Sequence, residues 1–319
     1  MIIGIDTSCY TTSLALVDAG GNLIEDARKV LAVKLGKRGL QQSEAVFQHV
    51  QNLPLLFEDL GRKVNLGGIK AVCVSTKPRP VEKSYMPVFT VSQGFGQVLA
   101  LGKQIPFFMT SHQEGHLMAG IWSAGGPKGE EFLAVHLSGG TSEVLKVLRH
   151  KTGFFIEILG ATGDLHAGQF VDRIGVELGM PFPAGAHLEK LAATHQGEIP
   201  YLRNGVNGYN FSFSGPETGA RKLLADGLSP AAVARAVEHC VATTLEKVLR
   251  RAVGDTGLKE ILIVGGVAAN SYLRKRLIYR LEHPAVGARL YFADPAYSTD
   301  NAVGIAQIGL LMTKEKFRY

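Results

Sequence analysis

The chain has 319 residues, 46% of them hydrophobic and 19% charged, with a net charge of +6. That length fits one large or two medium domains with an ample core, and the composition excludes a disordered chain, whose mark is low hydrophobicity with high net charge. The mild positive charge favours an anionic partner without naming one.

Taken in chain order, Ile2 to Ile5 is apolar and ends in Asp6 and a small polar run. The segment LALVD then returns, and Ala19 to Asn22 marks a turn before Leu23-Ile24. This predicts a strand, a polar turn, a returning strand and a further hairpin. Ser43 to Leu60 has apolar residues at helical spacing, with Pro54 as a point where the helix kinks. Ile69 to Ser75 reads as a buried strand, Val91 to Leu101 as a helix and Ile105 to Met109 as a strand. About 130 residues after the first strand the opening grammar recurs, with FLAVHL, SGGTSE and VLKVL placing Val135, Ser138 and Thr141 where Ile5, Ser8 and Thr11 stand. Gly168 to Leu178, Ala186 to His195, Pro230 to Val253, Asn270 to Leu281 and Asn301 to Leu311 are predicted helices. Lys259 to Val264 and Leu290 to Ala293 are predicted strands. Strands alternating with helices around a repeat predict a duplicated α/β architecture, with equivalent ligand loops facing one cleft.

Glycine, at 38 residues, makes up about 12% of the chain against a usual ~7%, which suggests sharp turns and close approaches to a ligand. Cys9, Cys73 and Cys240 form no CxxC and no even set, against a disulfide framework or a cysteine-based zinc knuckle. No basic and apolar leader is apparent and no apolar run reaches the ~18 residues of a membrane span. A soluble cytoplasmic protein, with no membrane partner, is therefore expected.

Three constellations carry chemistry. His112 and His116, at i and i+4, share a helix face and can grip one metal. The glutamate of HQEGH is Glu114, in the third position, so this is not the zincin motif. YSTDN offers a third ligand in Asp300, expected in the first turn of the last helix behind a Ser298 or Thr299 cap. The plain alternatives are two surface histidines and an aspartate that complements the helix dipole. Two histidines with one carboxylate suit zinc or non-haem iron. Second, SGGT (Ser138, Gly139, Gly140, Thr141), GGVAAN (Gly265, Gly266 to Asn270) and GATGDLHAGQFVD (Gly160 through Gly168 to Asp172) sit at strand ends or before helices. There backbone N–H groups can approach phosphates. None is a Walker loop or a Rossmann fingerprint, but three together point to a nucleotide cleft, with Asp172 on a ribose hydroxyl and Asn270 on a base or phosphate. Third, FSFSG reads as a strand with Phe211 and Phe213 in the core, before a helix near Pro216. Basic clusters at Lys34-Lys37-Arg38, Lys77-Arg79-Lys83 and Arg274-Lys275-Arg276 form a candidate path for a nucleic-acid backbone, each singly better read as solvated surface.

DTSCYTTSLALVD, SHQEGH, LSGGTSEV, AGQFVDR, FPAGAHLEKLA, FSFSG, GGVAAN and STDN occur in the order of the signatures of the TsaD family. Those are the tRNA threonylcarbamoyladenosine transferases, once labelled glycoproteases, and the resemblance runs from residue 3 to about 311. It implies the actin/Hsp70/sugar-kinase fold, with a first lobe over 1–128 and a second over 129–319 whose last helix returns to the first. It implies one divalent metal, iron or zinc, on His112, His116 and Asp300. Adenylate binding (ATP or a threonylcarbamoyl-AMP-like donor) is implied for Ser138, Gly139, Gly140, Asp172, Gly185, Glu189 and Asn270. The implied reaction moves a threonylcarbamoyl group to N6 of an adenine in the tRNA anticodon loop, with a small paralogous helper subunit as partner.

The chain departs from that family at several places. Tyr10-Thr11 replaces an acidic pair, so the residue that would act on the acceptor is unknown. The segment Lys77 to Phe89 replaces a Gly-Pro-Gly-Leu loop. Thr141-Ser142-Glu143 follows SGG in place of His-Thr-Gln, Gly168-Gln169 replaces Gly-Glu, Pro183 to Ala186 replaces PGGP, and Glu217 replaces a lysine. The metal ligands survive while much of the substrate lining does not. The expectation is a divergent paralogue that still transfers a carbamoyl-type group, with tRNA as leading acceptor. The alternatives are a small-molecule acceptor, or a non-catalytic nucleotide-binding partner subunit of a tRNA-modification complex.

Overall fold

A computed structural model describes residues 1–8, 10–33 and 39–317. Cys9 and the basic cluster at Lys34, Lys37 and Arg38 lie outside the described residues.

The first sheet holds β1 (Ile2–Asp6), β2 (Thr11–Val17), β3 (Leu23–Val30), β4 (Ala71–Lys77) and β5 (Phe107–Ser111) in the order β3-β2-β1-β4-β5. Between its strands run α1 (Gln42–Lys63) and α2 (Phe89–Lys103), and α3 (His112–Ala124) follows β5 directly. The second sheet holds β6 (Glu131–Leu137), β7 (Ser142–His150), β8 (Gly153–Ala161), β11 (Glu260–Val264) and β12 (Arg289–Phe292) in the order β12-β11-β6-β7-β8. Inserted after β8 are α4 (Ala167–Glu177), α5 (Gly185–Ala192), the hairpin β9 (Gly205–Asn207) and β10 (Asn210–Ser212), α6 (Ser214–Ala225) and α7 (Pro230–Thr256). Then come α8 (Ser271–Leu281), a short α9 (Pro295–Ser298) and α10 (Val303–Lys316).

Each sheet is thus an antiparallel meander of three strands extended by two parallel ones, in the same spatial order. The register repeats as well. Ile5 faces Leu14 and Val74, and Val135 faces Val144 and Ile263. One residue on, Asp6 faces Ser13, and His136 faces Glu143. The expected duplication therefore extends to the pairing of these central strands, while the third strands differ, Leu14 facing Ala27 and Val144 facing Gly160. β1 and β2 are buried along their whole length, β1 almost wholly apolar and β2 apolar from Leu14 to Val17 after the buried polar run Thr11 to Ser13.

Three boundaries differ from expectation. The last helix starts at Val303, so Asp300 lies in the turn before it and not in its first turn. The cause is Asn301, whose Oδ1 accepts from Val303 N at 3.0 Å while its Nδ2 donates to Thr299 O at 2.8 Å. Ser298 ends α9 and donates to Ala293 O at 3.1 Å, so it caps nothing in α10. Helix α6 starts two residues ahead of Pro216, which its first turn tolerates because the missing N–H has no partner there. Helix α1 runs on through Pro54.

Helices α3 and α10 form a layer between the two sheets. Leu117, Ile305 and Ile308 share a buried cluster with Cys73 of the first sheet and with Phe132, Ala134 and Leu262 of the second. Glycine makes this layer possible. A Cβ on Gly304 would stand 1.9 Å from the carbonyl oxygen of Gly115, and one on Gly4 2.5 Å from that of Ala302. Gly304→Ala should cost about 3 kcal/mol through overpacking against backbone that cannot yield, read as a lowered urea midpoint at unchanged m-value.

Candidate metal centre and the glycine loops beside it

The β5–α3 junction places the first two donors. Ser111 Oγ accepts from Glu114 N at 3.2 Å, and Glu114 Oε2 accepts from Ser111 N at 3.0 Å. This capping box fixes the first turn of α3 and engages Glu114 with the helix start. His112 and His116 then share one face, their rings edge-to-face with centroids 4.4 Å apart. Asp300, carried by the α9–α10 turn, brings Oδ1 to 3.6 Å from His112 Nε2 and 3.4 Å from His116 Nε2. All three donor atoms lie within 4.8 Å of one another. Ligands at zinc–nitrogen distances in a tetrahedron stand about 3.4 Å apart, so the set fits a single ion. His116 Nε2 is buried with no hydrogen-bond partner, which is what a vacant lone pair aimed at a cation requires.

Behind this set, Asp6 at the end of β1 is fully buried. Its Oδ2 lies 3.1 Å from His112 Nδ1 and accepts from Ser8 Oγ at 2.6 Å, while Ser75 Oγ donates to Oδ1. Burial pushes the Asp6 carboxyl up, but the His112 charge and these hydrogen bonds outweigh it and hold it below the usual carboxylate range. His112 is pulled down by burial and, more strongly, up by Asp6 and Asp300. His116 is held down by burial and by the His112 charge. A carboxylate on Nδ1 sets the His112 tautomer and leaves Nε2 to ligate, the usual support of a metal-bound imidazole.

Two neighbours escaped the reading of the sequence. His136 on β6 is 3% exposed, with its ring 4.6 Å from that of His116. Its one available signal was its place, equivalent to Asp6 in the repeat. Glu143, opposite it on β7, is buried; it accepts from Gln113 Nε2 at 2.8 Å and pairs with Arg79. Burial pushes the Glu143 carboxyl up against the pull of Arg79 and Gln113.

The glycine loops meet at the neighbouring strand ends. Gly168 N donates to Ser138 O at 3.2 Å, and a Cβ there would stand 2.7 Å from Gly139 N, so the α4 N-terminus abuts the turn of Ser138, Gly139 and Gly140. Gly265, at φ +96°, would drive a Cβ to 2.2 Å from Leu137 O, and Gly266 faces Thr299, the neighbour of Asp300. Asp172 Oδ1 accepts from Ala184 N at 2.7 Å, which holds the start of α5 at Gly185. Glu189 Oε1 accepts from Ser271 N at 2.8 Å, beside Asn270. Asn270 itself caps α8, accepting from Leu273 N at 2.8 Å, and donates to Glu238 Oε1 at 2.6 Å. Glu238, which sequence reasoning passed over, is pushed up to about 7 by burial, with Asn270 and Arg235 pulling the other way.

The replaced positions have internal uses. The Tyr10 ring meets Phe182 edge-on at 5.6 Å, joining the first strand turn to the segment before α5. Thr11 opens β2 and is buried. Glu217 pairs with Arg173 at 3.2 Å and Arg221 at 3.0 Å. Arg274 donates to Ala268 O at 2.6 Å and Arg276 to Glu246 Oε2 at 2.8 Å, so these two arginines are engaged within the protein, while Lys275 between them is exposed. Phe211 and Phe213 are both buried, and Phe213 stacks on Phe170 at 5.8 Å.

The fold and the site define a duplicated two-lobed α/β protein of the actin/Hsp70/sugar-kinase type, with a candidate metal centre at strand ends where its two sheets approach. Solved structures agree on the fold. The activator of the 2-hydroxyisocaproyl-CoA dehydratase from Clostridium difficile with bound ADPNP superposes with a TM-score of 0.58 at 14% identity, over 99% of this chain and 96% of that one. HypF of T. kodakarensis gives a TM-score of 0.63 at 12% identity, over 98% of this chain and 48% of that one. The profile of the tRNA N6-adenosine threonylcarbamoyltransferase family, TsaD, matches residues 30–307, and the chain belongs to that family. The tRNA N6-adenosine threonylcarbamoyltransferase of Thermus thermophilus is 32% identical over 96% of this chain and 90% of its own length. That of Archaeoglobus fulgidus is 30% identical over 98% and 91%.

Glu238 gives the site a pH signature. Between about 4.5 and 7 the unfolded chain has released this proton and the folded chain keeps it, so folding stability contributed here falls as pH rises through that window. Glu238→Gln should remove this contribution, the stability difference between variant and wild type changing by about 3 kcal/mol across the window at roughly 1.4 kcal/mol per unit. Urea denaturation at a series of pH values measures this.

Proposed function

We propose that the chain is a metal-dependent transferase that moves a threonylcarbamoyl or carbamoyl group from an adenylate donor to an amine, with N6 of adenine in the tRNA anticodon loop as the leading acceptor. Family membership supports the reaction class. The single observation that carries the mechanism is the buried, unpartnered His116 Nε2 set with His112 and Asp300 beside the glycine loops. When bound, zinc or iron would supply a Lewis acid for the carbonyl under attack.

The chain's own residues do the rest. Asp6 holds the Nδ1 proton of His112 and keeps Nε2 free. The turn of Ser138, Gly139 and Gly140 abuts the α4 N-terminus at Gly168, and the dipole of α4 favours the donor phosphate. Asp172, Gly185, Glu189, Gly265, Gly266 and Asn270 form the remainder of the adenylate subsite, built on α5 and the start of α8. Holding donor and acceptor together at such a site lowers the entropic barrier to attack. The partners this reading calls for are tRNA and a small paralogous helper subunit.

A second reading, transfer to a small-molecule acceptor, draws on the loop after β4. Arg79 there reaches β7 to pair with Glu143, and Tyr10 stands on Phe182 where the family carries acids.

The test incubates the chain with threonylcarbamoyl-adenylate, zinc or iron(II) and unmodified tRNA, and quantifies the modified nucleoside by mass spectrometry. Product formation is expected, with Asp6→Asn about 10–100-fold slower through its effect on His112. Donor binding without tRNA product, together with turnover of a small amine, moves the assignment to the second reading. Donor binding with neither turnover refutes both.

A further inference from the structure

We propose that Arg79 selects the acyl group, its guanidinium taking a carboxylate carried by the group to be transferred. A threonylcarbamoyl-type donor carries such a carboxylate and a plain carbamoyl donor does not. The inference rests on the adenylate-donor reading above and decides between the two donors which that reading leaves open.

The loop after β4 is pinned at its first residues. Pro78 O accepts from Gln113 N at 3.0 Å, and Arg79 N donates to Ser84 Oγ at 3.0 Å. Gln113 follows His112 in α3, so the first contact seats the loop against the helix start that carries the candidate metal donors. From there the Arg79 side chain crosses to the second sheet and pairs with Glu143 on β7.

Glu143 marks the other side of the same space. It stands one ladder step past Ser142, and the turn of Ser138, Gly139 and Gly140 closes the hairpin just beyond. Ser142 Oγ accepts from the N–H of Ala167, the first residue of α4, at 2.8 Å. Arg79 therefore reaches from the start of α3 to the strand end that supports the candidate phosphate turn. An acyl-adenylate with its phosphate at that turn and its acyl carbonyl toward His112 and Asp300 passes beside Arg79.

The guanidinium has capacity left for a ligand. Its planar fork offers five N–H donors, and Glu143 is its single partner among the described residues. Glu143 is buried and also accepts from Gln113 Nε2 at 2.8 Å, so it holds the guanidinium from the protein side, while the Arg79 side chain is 38% exposed. A guanidinium already oriented by one carboxylate loses less freedom in taking another group. Its remaining donors match a second carboxylate through parallel hydrogen bonds, whereas a carbamoyl group is neutral and presents a single carbonyl oxygen. The Gly-Pro-Gly-Leu loop that this segment replaces has no cationic side chain, so the recognition belongs to this chain.

The test measures affinities by calorimetry on the full chain with zinc present. The ligands are AMP, carbamoyl-adenylate, threonylcarbamoyl-adenylate and its threoninamide counterpart, in which a neutral amide replaces the carboxylate. The wild type should bind the carboxylate-bearing donor at least about tenfold tighter than the amide. Arg79→Gln should erase that preference and leave AMP affinity unchanged. Glu143→Gln, which keeps a side-chain oxygen for Arg79, should retain it. An equal loss of AMP and donor affinity in Arg79→Gln would make Arg79 a phosphate-binding or structural group and overturn the proposal. A preference that survives Arg79→Gln, or that the wild type never shows, would overturn it as well. Failure of every adenylate to bind the wild type would instead defeat the donor reading, and the proposal with it.

Discussion

The contact between Asp6 and His112 joins the first strand of the chain to the helix that carries two metal donors. Asp6 has no access to water and is held by two serine hydroxyls and one imidazole. A carboxylate so placed must keep a positive or proton-donating partner, because an unpaired buried charge costs several kcal/mol. The pair therefore constrains where α3 begins, which ring nitrogen of His112 faces outward, and how β1, β4 and α3 meet. The separate capping box of Ser111 and Glu114 fixes the first turn of α3 and so holds His112 where it meets Asp6.

The glycine loops form a second patch beside the candidate metal centre. Their side-chain neighbours, Asp172, Glu189 and Asn270, each spend at least one hydrogen bond on holding a helix start. That leaves the loop backbone preshaped, so less ordering entropy is lost when an anionic ligand binds. The buried Glu238 beneath Asn270 adds a proton-dependent element to the same patch.

Legibility in the sequence followed the range of the interactions. His112 and His116 were readable because i, i+4 spacing is a local rule, and the duplication was readable because the β1–β2 and β6–β7 pairings are short hairpins. Asp300 was found by its chemistry but placed in the wrong structural context, because the deciding bonds come from Asn301 back to Tyr297 and Thr299. His136 and Glu143 were opaque as a pair for another reason. Strand alternation shows which face a residue occupies, but not that α3 will cover that face with histidines and Gln113. The glycine excess was attributed to ligand loops; at Gly168 and Gly265, within those loops, the bare backbone is required by close approach to the main chain of Ser138, Gly139 and Leu137. Gly4, Gly115, Gly304 and Gly309 serve packing instead, a use that requires knowing which helices touch.

The approach of Gly304 to Gly115 has a mechanical meaning for the metal centre. With no side chain between them, α3 and α10 meet backbone to backbone, and such a contact has almost no slack. His112 and His116 ride on one of these helices, and Asp300 sits three residues ahead of the start of the other. The spacing of the candidate donors is thus gauged by a helix crossing within about one turn of each of them. Moving one candidate donor relative to the others would therefore require shifting two main chains that are already in contact.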